Sequence, residues 1–457
     1  MSDATPTKPS GPATHPVDAL TVAERRRRVW SWALWDWATQ PFNTIILTFV
    51  FTALYLTTDE FLDPAVAALP ESDPVHERAL AGLTSGLGLW ITVGGVLVAL
   101  LAPVLGRRAD VAGRRKAWVA GGTLLLVAAM FGLGFVRADP GYFVLGAALV
   151  SLGSVASEIA GVNYNAMLTQ VSSPRTFGRV SGLGWGMGYI GGIVALLLVV
   201  AVTTFDFFGM DTDDGMGFRL IAVGCAVWAL AFAWPLFRWV PEAPPAPDRA
   251  RVGFFAGYVQ LVRDVVQLYR TSRTTFWFLA ASAVYRDGLA GVFTFGAIVA
   301  AVSYRFTDNE VLIFGALANL LAGVSTIVAG RLDDRLGARS VILWSLAALV
   351  VCILAVVVLL PAGKPVFWVA GLALTLFVGP AQSASRSFLV RVTPPGHESE
   401  IFGLYATTGR AVSFLTPALW TAIIAVTGAT IWGALGIAVV LVTGLVLMLV
   451  VTDPTER

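Results

Sequence analysis

Charge is what this chain is short of. Asp, Glu, Lys and Arg together make up 13% of its 457 residues, against 56% apolar residues and a mean hydropathy of +0.76. Soluble domains carry about 25% charged residues, so a water-facing globular surface is excluded and an integral membrane protein remains. A net charge of +2 is too small to argue for nucleic acid, and the basic residues gather in loops, so no nucleic-acid partner is expected. Histidine and cysteine are also scarce. His15, His76 and His397 fall in expected loops and share no ligand spacing, while Cys225 and Cys352 lie inside separate apolar runs as small buried hydrophobes. Neither a disulfide framework nor a metal or cofactor site follows. The chain has no G-x-x-x-x-G-K-[ST] loop, so direct use of ATP has no support. No Ser/His/Asp, Cys/His or metal-ligand set can be assembled, so no enzyme is expected.

Long apolar runs are there instead. Segments of roughly 20 residues or more, enough to cross a bilayer, fall at about 30–56, 80–105, 116–136, 142–167, 180–203 and 218–240. They resume at about 275–303, 310–330, 340–361, 365–389, 401–426 and 431–451. The expected fold is therefore an all-α polytopic membrane protein, with twelve transmembrane helices in two six-helix halves. Residues 1–29 form a polar tail, 30–240 the first half, 241–274 a linker, 275–451 the second half and 452–457 a short tail. The first tail lacks the apolar core and cleavage site of a secretory signal. The linker opens with PEAPPAPDRA and continues as FFAGYVQLVRDVVQLYR, with apolar residues at helical spacing. A helix on the inner membrane surface and a plain connector are equally open readings of it.

Lys and Arg distribution gives the orientation. Segments on the side of the two termini hold 23 Lys and Arg, and the opposite loops hold five: Arg78, Arg137, Arg219, Arg305 and Lys364. Those opposite loops are acidic, with Asp59, Glu60, Asp63, Glu71, Asp73 and Glu77 in one and Asp206, Asp211, Asp213 and Asp214 in another. Both termini are expected in the cytoplasm, and the protein in the cytoplasmic membrane.

One stretch is repeated. GRRADVAGRRK at Gly106–Lys116 and GRLDDRLGARS at Gly330–Ser340 both fit G-x-x-x-D-x-x-G-x-R, through Gly106, Asp110, Gly113 and Arg115 and through Gly330, Asp334, Gly337 and Arg339. Arg114 and Arg335 add basic charge to the two copies. Glycine is expected to let the chain reverse here, the aspartate to accept from free amides of the following helix, and the arginines to anchor a gating turn. The pattern resembles the loop motif of the major facilitator superfamily. A further repeat at an offset of 221 lays Asn165–Pro174 over Arg386–Pro395, and Gly182 and Gly188 over Gly403 and Gly409. Such repeats place a substrate site at mid-membrane between two halves.

Ionisable side chains inside a bilayer are costly and mark candidate sites. The spans carry Asp36, Glu158, Arg286, Asp287, Arg386 and Arg410, with Asn43, Asn163, Asn165 and Gln382 as neutral hydrogen-bonding groups. The first half contributes only carboxylates and the second three arginines and one carboxylate, so opposite charges are expected to face each other across a cavity. Glu158, then Asp287, are candidates for a coupling proton. Arg286 or Arg410 is the candidate receiver of a substrate's negative group. Trp30 and Trp32 are expected as interfacial anchors. The glycines of GRVSGLGWGMGYIGG are expected at close helix contacts.

WALWDWATQPFNTIILTFVF, GLGWGMGYIGG, VYRDGLAGVFTFG and SRSFLVRVTPPGHESEIFGLYATTGRAVSFLTP resemble the autophagy-related vacuolar amino-acid effluxer family and its bacterial relatives. The resemblance implies a twelve-helix transporter, and its fungal branch implies export of neutral amino acids. The expected function is secondary transport of a small solute, with protons as the candidate coupling ion and membrane lipid as the surroundings. A lipid-handling or regulatory membrane protein on the same scaffold stays open beside it.

Overall fold

The computed structural model describes residues 16–70, 73–204, 215–242, 245 and 254–452. Outside them lie Lys8, His15, Glu71, Asp206, Asp211, Asp213, Asp214, Arg249, Arg251 and Arg457, with most of both tails and much of the linker. Eleven helices among the described residues are long and apolar enough to cross a membrane. A further span, the first, is divided by a change of helix form. It runs as α1 (Val22–Pro41) and continues with looser, i→i+5 turns over Phe42–Tyr55. Pro41 sits at the junction, where its missing N–H and its ring disturb the i→i−4 ladder. Thr21 and Glu24 form a reciprocal capping box at the start, and the Thr21 hydrogen bonds hold the Glu24 carboxyl below its usual range.

The spans continue as α2 (Pro74–Ala112), α3 (Arg115–Leu133), α4 (Phe143–Ala166), α5 (Phe177–Thr204) and α6 (Met216–Trp239). After the linker come α7 (Arg273–Ile298), α8 (Asp308–Leu336), α9 (Ala338–Val358) and α10, whose main segment is Leu372–Val392. Then α11 is split into Glu398–Val412 and Leu415–Thr427, and α12 spans Thr430–Val450. Pro417 stands in the first turn of the second α11 segment and accounts for the break. The linker forms a helix at Phe254–Thr271, which packs against α2 and α7. Leu89, Val93, Val96, Leu97 and Leu100 stand exposed along α2, an apolar outer surface suited to lipid.

The motif stretches differ from the expected turns. Gly106–Ala112 are the last turns of α2, because apolar content marks only the part of a helix that crosses hydrocarbon. The chain reverses at Gly113, which has φ 60°, and in the second copy at Gly337, with φ 84°. Gly106 and Gly330 are helical, and their missing side chains serve close approach instead. A Cβ on Gly106 would run into the carbonyl oxygen of Ser399 at the start of α11. A Cβ on Gly330 would stand 2.6 Å from the carbonyl oxygen of Gly178 at the start of α5. Gly182 and Gly186 continue the α5–α8 contact, as expected of the glycine-rich stretch, and Gly403 continues the α2–α11 contact.

These two crossings join the halves at the motif end. Farther along they part: Cβ positions on Gly82 and Gly88 of α2 meet nothing within 4 Å, and the second α11 segment packs on α12 and α7 in its own half. The molecule is closed at the motif end and splayed at the other. Overpacking a tight helix crossing costs about 1–3 kcal/mol, so Gly106→Ala and Gly330→Ala should lower the melting temperature in detergent by several degrees. Gly121→Ala, where nothing lies within 4 Å, should not. Equal melting of all three would show that the crossings are looser than described.

Candidate functional site

The closed end is built from reciprocal caps. Every helix begins with amides that lack an internal partner. At the start of α11, Ser399 N donates to Asp110 Oδ1 at 3.2 Å and Glu400 N to Oδ2 at 3.0 Å. At the start of α5, Gly178 N donates to Asp334 Oδ1 at 2.8 Å and Arg179 N to Oδ2 at 3.1 Å. Each aspartate thus caps a helix of the opposite half, not the helix that follows it, which corrects the expectation. The repeat offset of 221 carries Gly178 and Arg179 onto Ser399 and Glu400, so the two caps are equivalent.

The cations around the caps are not equivalent. Arg115 Nε donates to Asp110 at 2.8 Å, and its guanidinium also pairs with Glu398. Arg339, its counterpart, instead donates to the carbonyls of Val451 (2.7 Å) and Leu449 (3.2 Å) at the end of α12. Lys116 performs the same closure on α6, through the carbonyls of Phe237 and Val240. Beside Asp334 stand Arg391, 3.6 Å away and also paired with Asp333, and Arg179, whose Nε is 3.7 Å away. Arg114 and Arg335 are exposed. Glu398, Asp333 and Arg391 were not singled out in the sequence, although Glu398 lies inside the PGHESE stretch and Asp333 inside the motif.

Arg386 of α10 closes the floor of the interior. It is 3% exposed, and its Nη1 donates to Asn165 Oδ1 at 2.9 Å and to Asp36 Oδ2 at 3.3 Å. Nε and Nη2 reach Ser181 of α5, at the hydroxyl (2.9 Å) and the carbonyl (2.6 Å). One arginine of the second half therefore binds α1, α4 and α5 of the first. Tyr164, absent from the expected set, donates to Asp36 at 2.8 Å and stacks between Trp32 and Trp35, with ring centroids at 4.5 and 4.3 Å. Trp32 is fully buried in this stack, with the Arg386 guanidinium 4.8 Å from its ring, so it is no interfacial anchor; Trp30 is 42% exposed.

Above this floor lies a cavity of about 420 Å³, in the usual range for small-molecule sites. It is lined from α1, α2, α4, α5, α7, α10 and α11, and takes in Asp36, Asn43, Glu158, Asn165, Arg286, Gln382, Arg386 and Arg410. Glu158 and Arg410 meet across it at 3.1 Å, both about two-fifths exposed. Tyr189 of α5 donates to Gln382 of α10 at 2.6 Å, a neutral contact between the helices equivalent to α11 and α4; Tyr189 and Arg410 are 221 positions apart, Glu158 and Gln382 224. Arg286 lies over the Tyr405 ring at 3.8 Å and donates to the Tyr405 carbonyl at 2.8 Å.

Two expected residues fall outside the lining. Asn163 is fully buried and donates to the Ile159 carbonyl of its own helix. Asp287 accepts from Thr416 N at 2.6 Å, capping the second α11 segment. Helical spacing alone put these side chains on cavity helices. Which way each faces depends on helix rotation.

Residues 169–456 match the family described as "Vacuole effluxer Atg22 like". The chain is 23% identical to the uncharacterized MFS-type transporter YxiO of Bacillus subtilis, covering 93% of this chain and 95% of that one. It is 28% identical to autophagy-related protein 22 of Cryptococcus neoformans over 58% of this chain, and the match spans about half (51%) of that longer relative. Among solved structures it is similar to the proton:xylose symporter XylE, with a TM-score of 0.71 at 12% identity, covering 95% of this chain and 97% of that one. That likeness shows the fold. With a cavity between two six-helix halves and a family match over more than half its length, the chain belongs to the Atg22-like effluxer family of major facilitator transporters.

Proposed function

We propose that this protein is a secondary transporter that moves a small carboxylate-bearing solute, an amino acid among the candidates, across the cytoplasmic membrane by alternating access. The observation that carries this reading is the cavity of about 420 Å³ lined by charges of both halves and closed at one end only. Charged groups drawn from both halves support transport over a lipid-handling or regulatory role. Residues 30–240 and 275–451 are the two moving bodies, joined by the linker 241–274. The excess of Lys and Arg puts the motif end, both tails and the linker on the cytoplasmic side. The state described is then outward-open.

In this reading Asp110 and Asp334 are latches, since their bonds to the starts of α11 and α5 must break for the motif end to open. Arg386, with Asp36 and Asn165, is an inner latch. Glu158 carries the coupling proton: it meets Arg410 across the halves, and rocking that withdraws the guanidinium leaves the carboxylate to be neutralised by a proton. Arg286 and Arg410 are the groups available to a substrate's negative end.

Hydrogen bonds to a charged partner are worth about 1.5–3 kcal/mol each, so Asp110→Asn and Asp334→Asn should each slow turnover in proteoliposomes by about tenfold or more. Both variants should still insert and purify normally. Unchanged turnover in both removes the latch assignment.

Glu158→Gln should abolish accumulation driven by an imposed pH gradient while preserving exchange at equal concentrations, measured with a solute found by screening the wild type. Gradient-driven accumulation that survives the substitution would mean that Glu158 is not the proton carrier.

A further inference from the structure

The linker helix Phe254–Thr271 runs into α7 with only Ser272 between them. It has a packed side and a bare side. Leu268 is buried in the main apolar core, Val265 packs against that core, and the helix rests on α2 of the first half and α7 of the second. Opposite Leu268, Val259, Val266 and Tyr269 stand exposed. At 3.6 residues per turn these three positions fall within about 80° of one another, on one stripe. Arg263 and Arg270 each follow one of the valines by four positions, so both exposed side chains rise along one edge of that stripe. No ion pair holds either of them among the described residues.

The depth of the helix is set at its end. The Arg273 guanidinium stands 5.6 Å from the Tyr269 ring, Tyr269 meets Phe276 edge-on at 5.0 Å, and Phe276 meets the exposed Trp277 at 5.7 Å. Exposed tyrosine and tryptophan at the end of a membrane span mark the headgroup layer. Water would leave the valines uncovered, and hydrocarbon would strip the guanidinium groups of partners. The boundary between acyl chains and headgroups satisfies both within the width of one helix.

We propose that the linker helix lies in the headgroup layer of the leaflet at the motif end and that Arg263 and Arg270 bind the phosphates of anionic phospholipid there. Val259, Val266 and Tyr269 then face the acyl chains. A guanidinium matches a phosphate through two parallel hydrogen bonds. Net charge selects the anionic lipid, since residues 241–274 hold five arginines against three carboxylates and a basic segment is drawn to a negative surface. The lipid-bound segment touches α2 and is joined to α7, so it ties both halves to the bilayer at the end where they meet. This contact needs only that α7 spans the membrane, whatever the cavity carries.

The test uses the full chain with Cys225→Ala and Cys352→Ala and one new cysteine, Val266→Cys or Gln267→Cys, carrying an NBD fluorophore. It is placed in phosphatidylcholine nanodiscs holding a fixed fraction of nitroxide-labelled phosphatidylglycerol or nitroxide-labelled phosphatidylcholine. Quenching should be stronger at 266 than at 267, which lies beyond the arginines. At 266 the phosphatidylglycerol should be preferred by about fivefold or more, the factor that one basic residue near an anionic surface supplies. Arg263→Gln with Arg270→Gln should bring the preference close to unity, while Arg263→Lys with Arg270→Lys should keep most of it, because lysine keeps the charge. If the glutamine pair does not fold, judged by its melting profile, added salt decides, since a preference carried by exposed charges falls with ionic strength. Absence of quenching at 266 would place that face in water or under protein and overturn the proposal. Equal quenching by the two lipids, or a preference untouched by the glutamine pair or by salt, would overturn it as well.

Discussion

Asp110 and Asp334 each accept hydrogen bonds from the second and third amides of a helix that belongs to the other half of the molecule. The start of a helix is the one place where backbone donors project outward with a partial positive charge. A carboxylate is therefore a strong and directional partner, and the bond breaks cleanly when the helix moves away. Gly106 and Gly330 are the condition for it, since a single added methyl group would separate the backbones that the aspartates bridge. Closure at this end depends on two contacts made possible by two missing side chains. Everything above them, from the Arg386 floor to the cavity, is shaped by halves that meet at one end and part at the other.

The halves are related by a repeat, yet the chemistry at the joint is not. Asn165 and Arg386 are equivalent positions, and they bind each other at 2.9 Å. Equivalent residues can touch only near the axis that exchanges the halves, so this pair lies close to it. One partner is neutral and the other charged, which draws Asp36, Tyr164 and Ser181 from the first half around a guanidinium from the second. Farther up, the Tyr189–Gln382 contact between α5 and α10 is neutral, while the Arg410–Glu158 contact between the equivalent helices α11 and α4 is ionic. Duplication supplied the scaffold, and divergence placed the charge on one side of each pair.

Membrane burial explains why so few ionisable groups carry so much of the interior. Each one must be paired, capped onto backbone or left facing a space that something charged can enter. Arg386 and Asp36 take the first course, Asp287 the second, and Arg286 the third. Tryptophan stacking on Tyr164 adds polarizable faces around Arg386 without adding a second charge.

Much of this was legible in the sequence. Span length and hydropathy are one-dimensional quantities, so the helical class, the two sets of six and the repeated motif follow from the order of residues alone. So does the separation of carboxylates and arginines between the halves. Helix rotation and the partner of each cap are not one-dimensional. Asp110 lies five residues from Arg115 in the chain and also meets Ser399, which no local pattern specifies. Asn163 and Asn165 differ by two positions, yet one is buried against its own helix and the other binds Arg386. Trp32 has the composition of an interfacial anchor and stands instead inside an aromatic stack. Which segments cross the membrane follows from residue order, because hydrocarbon thickness acts on each segment separately. Which groups meet follows from packing, because that depends on how each helix is turned and on how closely glycine lets its neighbours approach.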